Sequence, residues 1–283
     1  MKKNRLIGWF GLVCLLLITA CKSEFERVRA TGDPEVLYAK ANEYYTAGEH
    51  QKAQTLYELV LGSFRGRPEA EEIYFKYAYT YYQLQQYILA SYYFKNFSQT
   101  YTNSPKREEA DFMSAYSNYQ LSPVYRLDQT YTLKAIDELQ TFVNTYQRSN
   151  RVQESNKLID EMRAKLERKA YEEGRLYFDL RMYQSATHVM ENLLKDFPET
   201  RNAEEVRFLI VRSAFLLAEN SVVDKQEERH QEVVAKATAF LARYKQSGYS
   251  KEVATIQSDS TKKLNQLKNV GYQNKSAGSG SQR

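Results

Sequence analysis

The hydrophobic and polar positions of this chain repeat. Residues 71–84, EEIYFKYAYTYYQL, align with residues 108–121, EEADFMSAYSNYQL, at a shift of 37, and eight of the 14 positions are identical. A shift of 37 in the other direction finds a fainter copy in Glu35, Tyr38, Ala41 and Tyr45. A second pattern places apolar residues at spacings of 0, 4, 7 and 11, with alanine at the first position in four copies and at the second in the fifth. It occurs five times: Ala53/Tyr57/Val60/Phe64, Ala90/Phe94/Phe97/Tyr101, Ala135/Leu139/Phe142/Tyr146, Ala186/Met190/Leu193/Phe197 and Val233/Ala237/Phe240/Tyr244. Apolar positions three and four apart lie on one face of an α-helix. A helical pattern recurring every 37 to 51 residues predicts stacked helical hairpins, each burying its apolar face against the next.

The punctuation places the elements. Asp33 and Pro34 open a first helix as N-cap and first-turn proline, and Gly48 ends it. A partner is expected over about 50–63, a second pair over 69–84 and 87–101, and a third over 106–121 and 130–147. Ser104-Pro105 caps the third pair's first helix, and the surplus residues 122–129, SPVYRLDQ, form an insertion of the kind that repeat arrays place in loops and use for contacts. A long helix over 151–181 pairs with 183–196, a helix over 201–220 capped by Thr200 pairs with 226–245, and a more polar helix over 250–268 closes the stack. Leu37, Ala41 and Tyr44 in one helix, Gly48 at the turn and Ala53 and Tyr57 in the next resemble a tetratricopeptide repeat, residue by residue. The expected fold is therefore all-α, an α-α superhelix of about five tetratricopeptide-like hairpins plus a C-terminal capping helix. Repeats 1–3 would occupy 33–149, repeats 4–5 and the cap 150–270, and 271–283, ending GSGSQR, would be a flexible tail.

Residues 1–20 read as an export signal: a basic start, an apolar run over Leu6–Ile18 too short to span a bilayer comfortably, then small residues. Ile18-Thr19-Ala20-Cys21 resembles the bacterial lipobox, in which the cysteine is acylated and becomes the mature N-terminus; the alternative is a plain signal peptide with a chance cysteine. Cys21 is thus the candidate lipid-attachment site, 21–32 a lipidated tether, and Lys22 favours the outer membrane. The other cysteine, Cys14, lies inside the apolar run, so the processed, acylated chain would have no thiol for a disulfide and would depend on packing.

Charge and chemistry narrow the reading further. Setting aside Lys2, Lys3 and Arg5 of the signal leaves 37 basic against 35 acidic residues, too even to suggest nucleic acid. His50, His188 and His230 sit in different repeats without a second ligand nearby in sequence, and read as solvated or capping side chains. Glu71-Glu72, Glu108-Glu109 and Glu204-Glu205 fall in first helical turns, where they complement the macrodipole. No metal, cofactor or catalytic constellation is expected.

Tyrosine is the unusual residue, 24 in 283. In helix 71–84 the aromatics outnumber what one buried face can hold. The polar exchanges Asp111, Ser114 and Asn118 in the copy suggest that Phe112, Ala115, Tyr116 and Tyr119 face the core, with Phe75, Ala78, Tyr79 and Tyr82; Tyr74, Tyr77 and Tyr81 would then form a separate stripe. The tetratricopeptide match instead places Tyr74, Ala78 and Tyr81 inward. Either way one stripe is surplus, to pack on the next repeat or to line a groove for a peptide with aromatic side chains. The candidate peptide-binding residues are Tyr74, Tyr77, Tyr81, Tyr82, Tyr116 and Tyr119.

The combination resembles the BamD family, tetratricopeptide lipoproteins of the outer-membrane β-barrel assembly machinery. It is carried by Cys21 behind the lipobox, five repeats, Ala78-Tyr79-x-Tyr81-Tyr82, the long helix 151–181 and Lys195-Asp196-Phe197-Pro198-Glu199-Thr200; repeat 3 departs from it, ending in Tyr146-Gln147-Arg148-Ser149 without the proline. The resemblance implies a scaffold rather than an enzyme. It would be held by lipid on the periplasmic face of the outer membrane, with its C-terminal repeats on the barrel insertase and its N-terminal repeats receiving unfolded barrel precursors. The alternative is a tetratricopeptide lipoprotein that binds peptidoglycan or another glycan, since aromatic rows also stack on sugars.

Overall fold

A computed structural model describes residues 23–279, so the signal, the lipobox and Cys21 lie outside the described residues. Twelve helices and no strand occur among the described residues: α1 (Glu24–Arg29), α2 (Pro34–Thr46), α3 (His50–Val60), α4 (Glu69–Gln83), α5 (Tyr87–Thr100), α6 (Arg107–Gln120), α7 (Thr130–Thr145), α8 (Val152–Asp179), α9 (Tyr183–Asp196), α10 (Ala203–Glu219), α11 (Val223–Arg243) and α12 (Ser250–Ser279). The fold is all-α, built of tetratricopeptide-like hairpins. None of the described helices is long and apolar enough to cross a membrane.

The local rules that start these helices are visible in the bonds. Asp33 accepts from the amides of Glu35 and Val36 at 2.9 and 3.5 Å, which holds the start of α2. The small-large pattern is the inner face of every second helix. Ala53, Tyr57, Val60, Ala90, Phe94, Phe97, Ala135, Leu139, Ala186, Met190, Val233 and Ala237 are all buried. Alanine at the first position lets the neighbouring helix backbone come close, and the larger side chains fill the space beyond.

The last position of the pattern ends the helix. Tyr101, Tyr146, Phe197 and Tyr244 are C-caps with φ between −130 and −106° and ψ between 55 and 69°. Each cap amide still bonds to the carbonyl four residues back. In three of them the ring lies 5.0 Å from the phenylalanine at that position. Ser104, Ser149, Thr200 and Ser247 then accept from the backbone amide two residues on, three residues after each cap. The expected Ser104 and Thr200 caps thus act in the turn, just ahead of the helices at Arg107 and Ala203. The opposite ends of three hairpins share another turn, with Gly48, Gln85 and Arg181 at φ of 76, 58 and 61°.

The chain divides into two compact units. One holds the described residues up to Pro123 with Asp128–Met162; the other holds Val124–Leu127 and the chain from Arg163. The division falls inside α8 rather than at residue 150. In the first unit α1–α7 and the start of α8 surround one core, with Tyr57, Phe64, Ile73, Phe94, Phe97, Phe112 and Met162 among its fully enclosed side chains. In the second, α9–α12 share a core around Met190, Leu193, Val206, Val211, Phe240 and Val253.

Two stretches differ from the reading of the sequence, and a third agrees with it. Part of the tether is helical: Ser23 accepts from Glu26 at 3.2 Å to cap α1, Val28 is buried, and Phe25 meets Tyr44 at 5.9 Å. A short amphipathic turn beside α2 is enough to hold it. At the other end α12 continues to Ser279, through most of the expected flexible tail; the sequence has no proline after Pro198 to stop a helix. The insertion 122–129 does make contacts. The Lys169 ammonium donates to the Leu127 carbonyl at 2.7 Å, and the Arg168 guanidinium lies 4.4 Å from the centre of the Tyr125 ring.

Candidate aromatic binding surface

In α4 neither expected register holds in full: Ala78 and Tyr81 lie inward, as the tetratricopeptide match has them, but so does Tyr77. Tyr77 and Tyr81 are buried, at 2% and 8% exposure, so they cannot form a free stripe. They face Tyr93 of α5: Tyr81 stacks on it at 4.8 Å and 16°, and Tyr77 meets it edge-on at 4.9 Å. Their hydroxyls bond each other at 2.8 Å, which satisfies two polar tips inside the hairpin. Burial first, then the neighbouring phenols, pushes the Tyr77 hydroxyl pKa well above the ordinary range, and burial raises that of Tyr81. Tyr74 is half-buried at 6.0 Å from Tyr93 and 6.2 Å from Tyr101.

The copy in α6 shows why the polar exchanges pointed to the other register. Ser114 and Asn118 occupy the positions of Tyr77 and Tyr81 and are also buried, at 1% each. The Asn118 amide donates to Ser91 Oγ and to Glu138 Oε2, both at 2.8 Å. The same inward position holds tyrosines in one repeat and a hydrogen-bonded polar cluster in the next, so polarity there does not mean exposure.

The other face is the half-open one. Phe75, Tyr79, Tyr82, Tyr116 and Tyr119 are half-buried, whereas Phe112 and Ala115 are buried as expected. Phe112, Tyr116 and Tyr119 stand one above another along α6, with centroids 5.5 and 5.6 Å apart and planes within 17°. Tyr82 of α4 lies 6.2 Å from Tyr116. Beneath this row, Tyr79 donates to Glu109 Oε1, Arg151 bonds both oxygens of Glu109 at 3.0 and 2.8 Å, and its guanidinium covers the Phe112 ring at 4.2 Å. Tyr119 donates to Glu161 at 3.1 Å. Burial pushes the Tyr82 pKa up to about 12, and burial followed by Glu161 raises that of Tyr119. The Tyr82 and Tyr119 hydroxyls therefore stay protonated at physiological pH.

Of the six candidate residues, Tyr82, Tyr116 and Tyr119 therefore form one row, Tyr74 lies apart from them, and Tyr77 and Tyr81 belong to the interior. Cys21 lies outside the described residues. His188 is exposed and within hydrogen-bond distance of Asn192 at 3.2 Å. His230 is fully buried, contrary to the solvated reading, with Ser260 Oγ at 3.2 Å and Glu219 Oε1 at 3.3 Å. Its position in the sequence, three residues before the buried Val233, was the available signal. Among the described residues no group of three or more His, Cys, Asp or Glu is placed to hold a metal ion. The paired acids do more than face a helix dipole: Glu71 accepts from Ser104 at 2.6 Å, and Glu72 pairs with Lys76 and Lys106.

Solved structures with related coordinates include the TPR2AB-domain–pHSP90 complex of yeast Sti1 (11% identity, 81% of this chain and 98% of that chain, TM-score 0.38). A thermophilic tetratricopeptide protein of Thermus thermophilus (14%, 81% and 99%, TM-score 0.30) and the apo form of RapI (11%, 90% and 90%, TM-score 0.35) are others. These superpositions are loose. No curated protein sequence matches the chain. The model of the YfiO family, described as outer membrane lipoprotein, matches residues 30–228, and the chain belongs to that family.

Proposed function

We propose that the protein is a lipid-anchored scaffold of the outer-membrane β-barrel assembly machinery. Held through Cys21 on the periplasmic face, it brings unfolded barrel precursors to the insertase and performs no reaction of its own. The first unit receives the precursor and the second docks on the insertase. The observation that carries the receptor role is the half-open row Tyr82, Tyr116 and Tyr119. Membership of an outer membrane lipoprotein family supports the location. Flat rings with wet hydroxyl edges suit an extended segment with alternating aromatic side chains, which can lay rings on the row and offer backbone groups to the hydroxyls.

The test is capture of a synthetic peptide corresponding to the last strand of a barrel protein. Each aromatic contact is worth about 0.5–1.5 kcal/mol beyond area burial. Tyr116→Ala with Tyr119→Ala should therefore weaken capture roughly tenfold or more, with helicity unchanged. Tyr77→Ala with Tyr81→Ala would instead cost stability, because those rings lie inside the hairpin. Undiminished capture by the Tyr116/Tyr119 variant would remove the receptor assignment. Co-purification with cell-wall sacculi in place of an insertase would favour the glycan-binding alternative.

A further inference from the structure

Each unit contains a groove built from the same three positions of the repeat. In the first unit it lies among α5, α6 and α7, with a volume of about 380 Å³. In the second it lies among α9, α10 and α11, with about 590 Å³. The flanking anchors correspond one to one: Phe94 and Phe97 with Met190 and Leu193, Ser104 with Thr200, Phe112 with Phe208, Phe142 and Tyr146 with Phe240 and Tyr244.

Within this common frame three charges are reversed, and Arg107 of the first groove has Ala203 as its counterpart. Lys95, Asp111 and Glu138 of the first groove stand where Glu191, Arg207 and Lys236 stand in the second, and Thr145 is replaced by Arg243. The fold therefore imposes neither sign. The acids of the first groove are engaged internally: Asp111 accepts from the Tyr146 hydroxyl at 2.7 Å and Glu138 from Asn118 at 2.8 Å.

The second groove has a cationic excess. Burial works against the charge on Lys236, but Glu191 and Glu232 outweigh it and raise its pKa. Neither Arg207 nor Arg243 has a carboxylate partner among the described residues. Arg207 is half-buried beside a floor of Leu194, Ile210, Val211 and Phe240, the last three of them buried. A guanidinium with no countercharge offers a planar fork that a carboxylate satisfies with two bonds. An apolar floor beside it rewards side chains that accompany that carboxylate.

We propose that the groove among α9, α10 and α11 is a docking site for an acidic segment of a partner protein. Its apolar side chains rest on Leu194, Ala239 and Ala242 above the buried Ile210, Val211 and Phe240, and one of its carboxylates pairs with Arg207, with Arg243 at the rim. The inference does not depend on the partner being the barrel insertase, nor on the tyrosine row of the first unit.

The test uses the full chain in detergent micelles and two fluorescent peptides, one alternating leucine and glutamate and the other leucine and lysine. The acidic peptide should bind, more weakly as salt is raised, and the basic one should not. Arg207→Glu places the groove's own acid where the first unit has Asp111, so it should fold. It should lower affinity for the acidic peptide by roughly tenfold or more. Arg207→Ala should lower it without reversing the charge, Arg207→Lys should keep part of it, and Arg201→Ala on the exposed surface should leave it unchanged. Equal binding of both peptides, or no response to Arg207→Glu and Arg207→Ala alike, overturns the proposal. Full displacement of the acidic peptide by acetate, or by phosphatidylglycerol vesicles that need Arg207, overturns it in favour of a small-anion or lipid site. Loss of this binding with precursor capture intact would leave the tyrosine row standing.

Discussion

Replacing Gly174 by alanine sets two opposing effects against each other. Gly174 lies inside α8, where helix propensity alone favours alanine by about 1 kcal/mol. A Cβ at this position would stand 2.8 Å from Met190 Cγ, 3.3 Å from Met190 Cε and 3.7 Å from Val189 Cγ1. Carbon atoms pack best at roughly 3.5–4.0 Å. Met190 is 1% exposed, so its side chain cannot swing into solvent to make room. Overpacking of this kind costs about 1–3 kcal/mol, so the net expectation is a loss of up to about 2 kcal/mol. The assay is urea unfolding of the full chain followed by far-ultraviolet circular dichroism, with hydrogen exchange in α8 and α9 to localise the effect to the second unit. Met190→Ala alone should cost about 2–5 kcal/mol through the cavity it leaves. In the double variant the new methyl enters that cavity, so the combined cost should fall short of the sum by about 1 kcal/mol or more. A midpoint that rises in Gly174→Ala, or strict additivity in the double variant, would refute the close-packing account.

Gln85→Gly and Arg181→Gly should each raise stability by up to about 1 kcal/mol, because both side chains are held at positive φ in turns where the first repeat uses Gly48; the unfolding midpoint checks this. Burial lowers the His230 pKa against the raising influence of Glu219, with Lys263 also lowering it, so the unfolded chain takes up this proton more readily. The stability this residue contributes is therefore present above its unfolded pKa of about 6.5 and lost as pH falls below that value through its lower folded pKa. The second unit should melt lower at about pH 5.5 than at about pH 7.5, and His230→Leu should reduce that difference; an unchanged pH dependence in the variant would count against the buried neutral imidazole.

The sequence revealed the repeat and concealed its faces, for a physical reason. The small-large spacing is dictated by how near two helix backbones approach, so Ala53, Ala90, Ala135 and Ala186 announce the contact wherever it recurs. Tyrosine carries no such message. Tyr77 and Tyr81 are buried because their hydroxyls satisfy each other, while Tyr116 and Tyr119 keep an edge in solvent, and nothing in the residue type separates the two cases. Ser114 and Asn118 misled in the opposite direction, since Ser91 and Glu138, which make their burial tolerable, come from neighbouring helices. Gly48 marked its turn in the sequence, yet Gln85 and Arg181 adopt the same conformation unmarked because the surrounding bonds overrule their preference.

The same contrast indicates where specificity in such a chain can reside. Positions that set helix approach admit few residues: alanine or valine first, then aromatic or large apolar side chains except at Ala237, ending in Phe64, Tyr101, Tyr146, Phe197 or Tyr244. The grooves between them obey no such constraint. Lys95, Asp111 and Glu138 exchange sign with Glu191, Arg207 and Lys236 while the hairpins around them keep their geometry. Likewise the Tyr77/Tyr81 pair and the Ser114/Asn118 cluster fill equivalent places by unrelated chemistry. A scaffold of this design separates what holds it up from what it recognises. Charge reversal at Arg207 should then change which segment binds and leave the fold alone, whereas a bulkier residue at Ala186 or Ala237 should disturb the fold before it touches recognition.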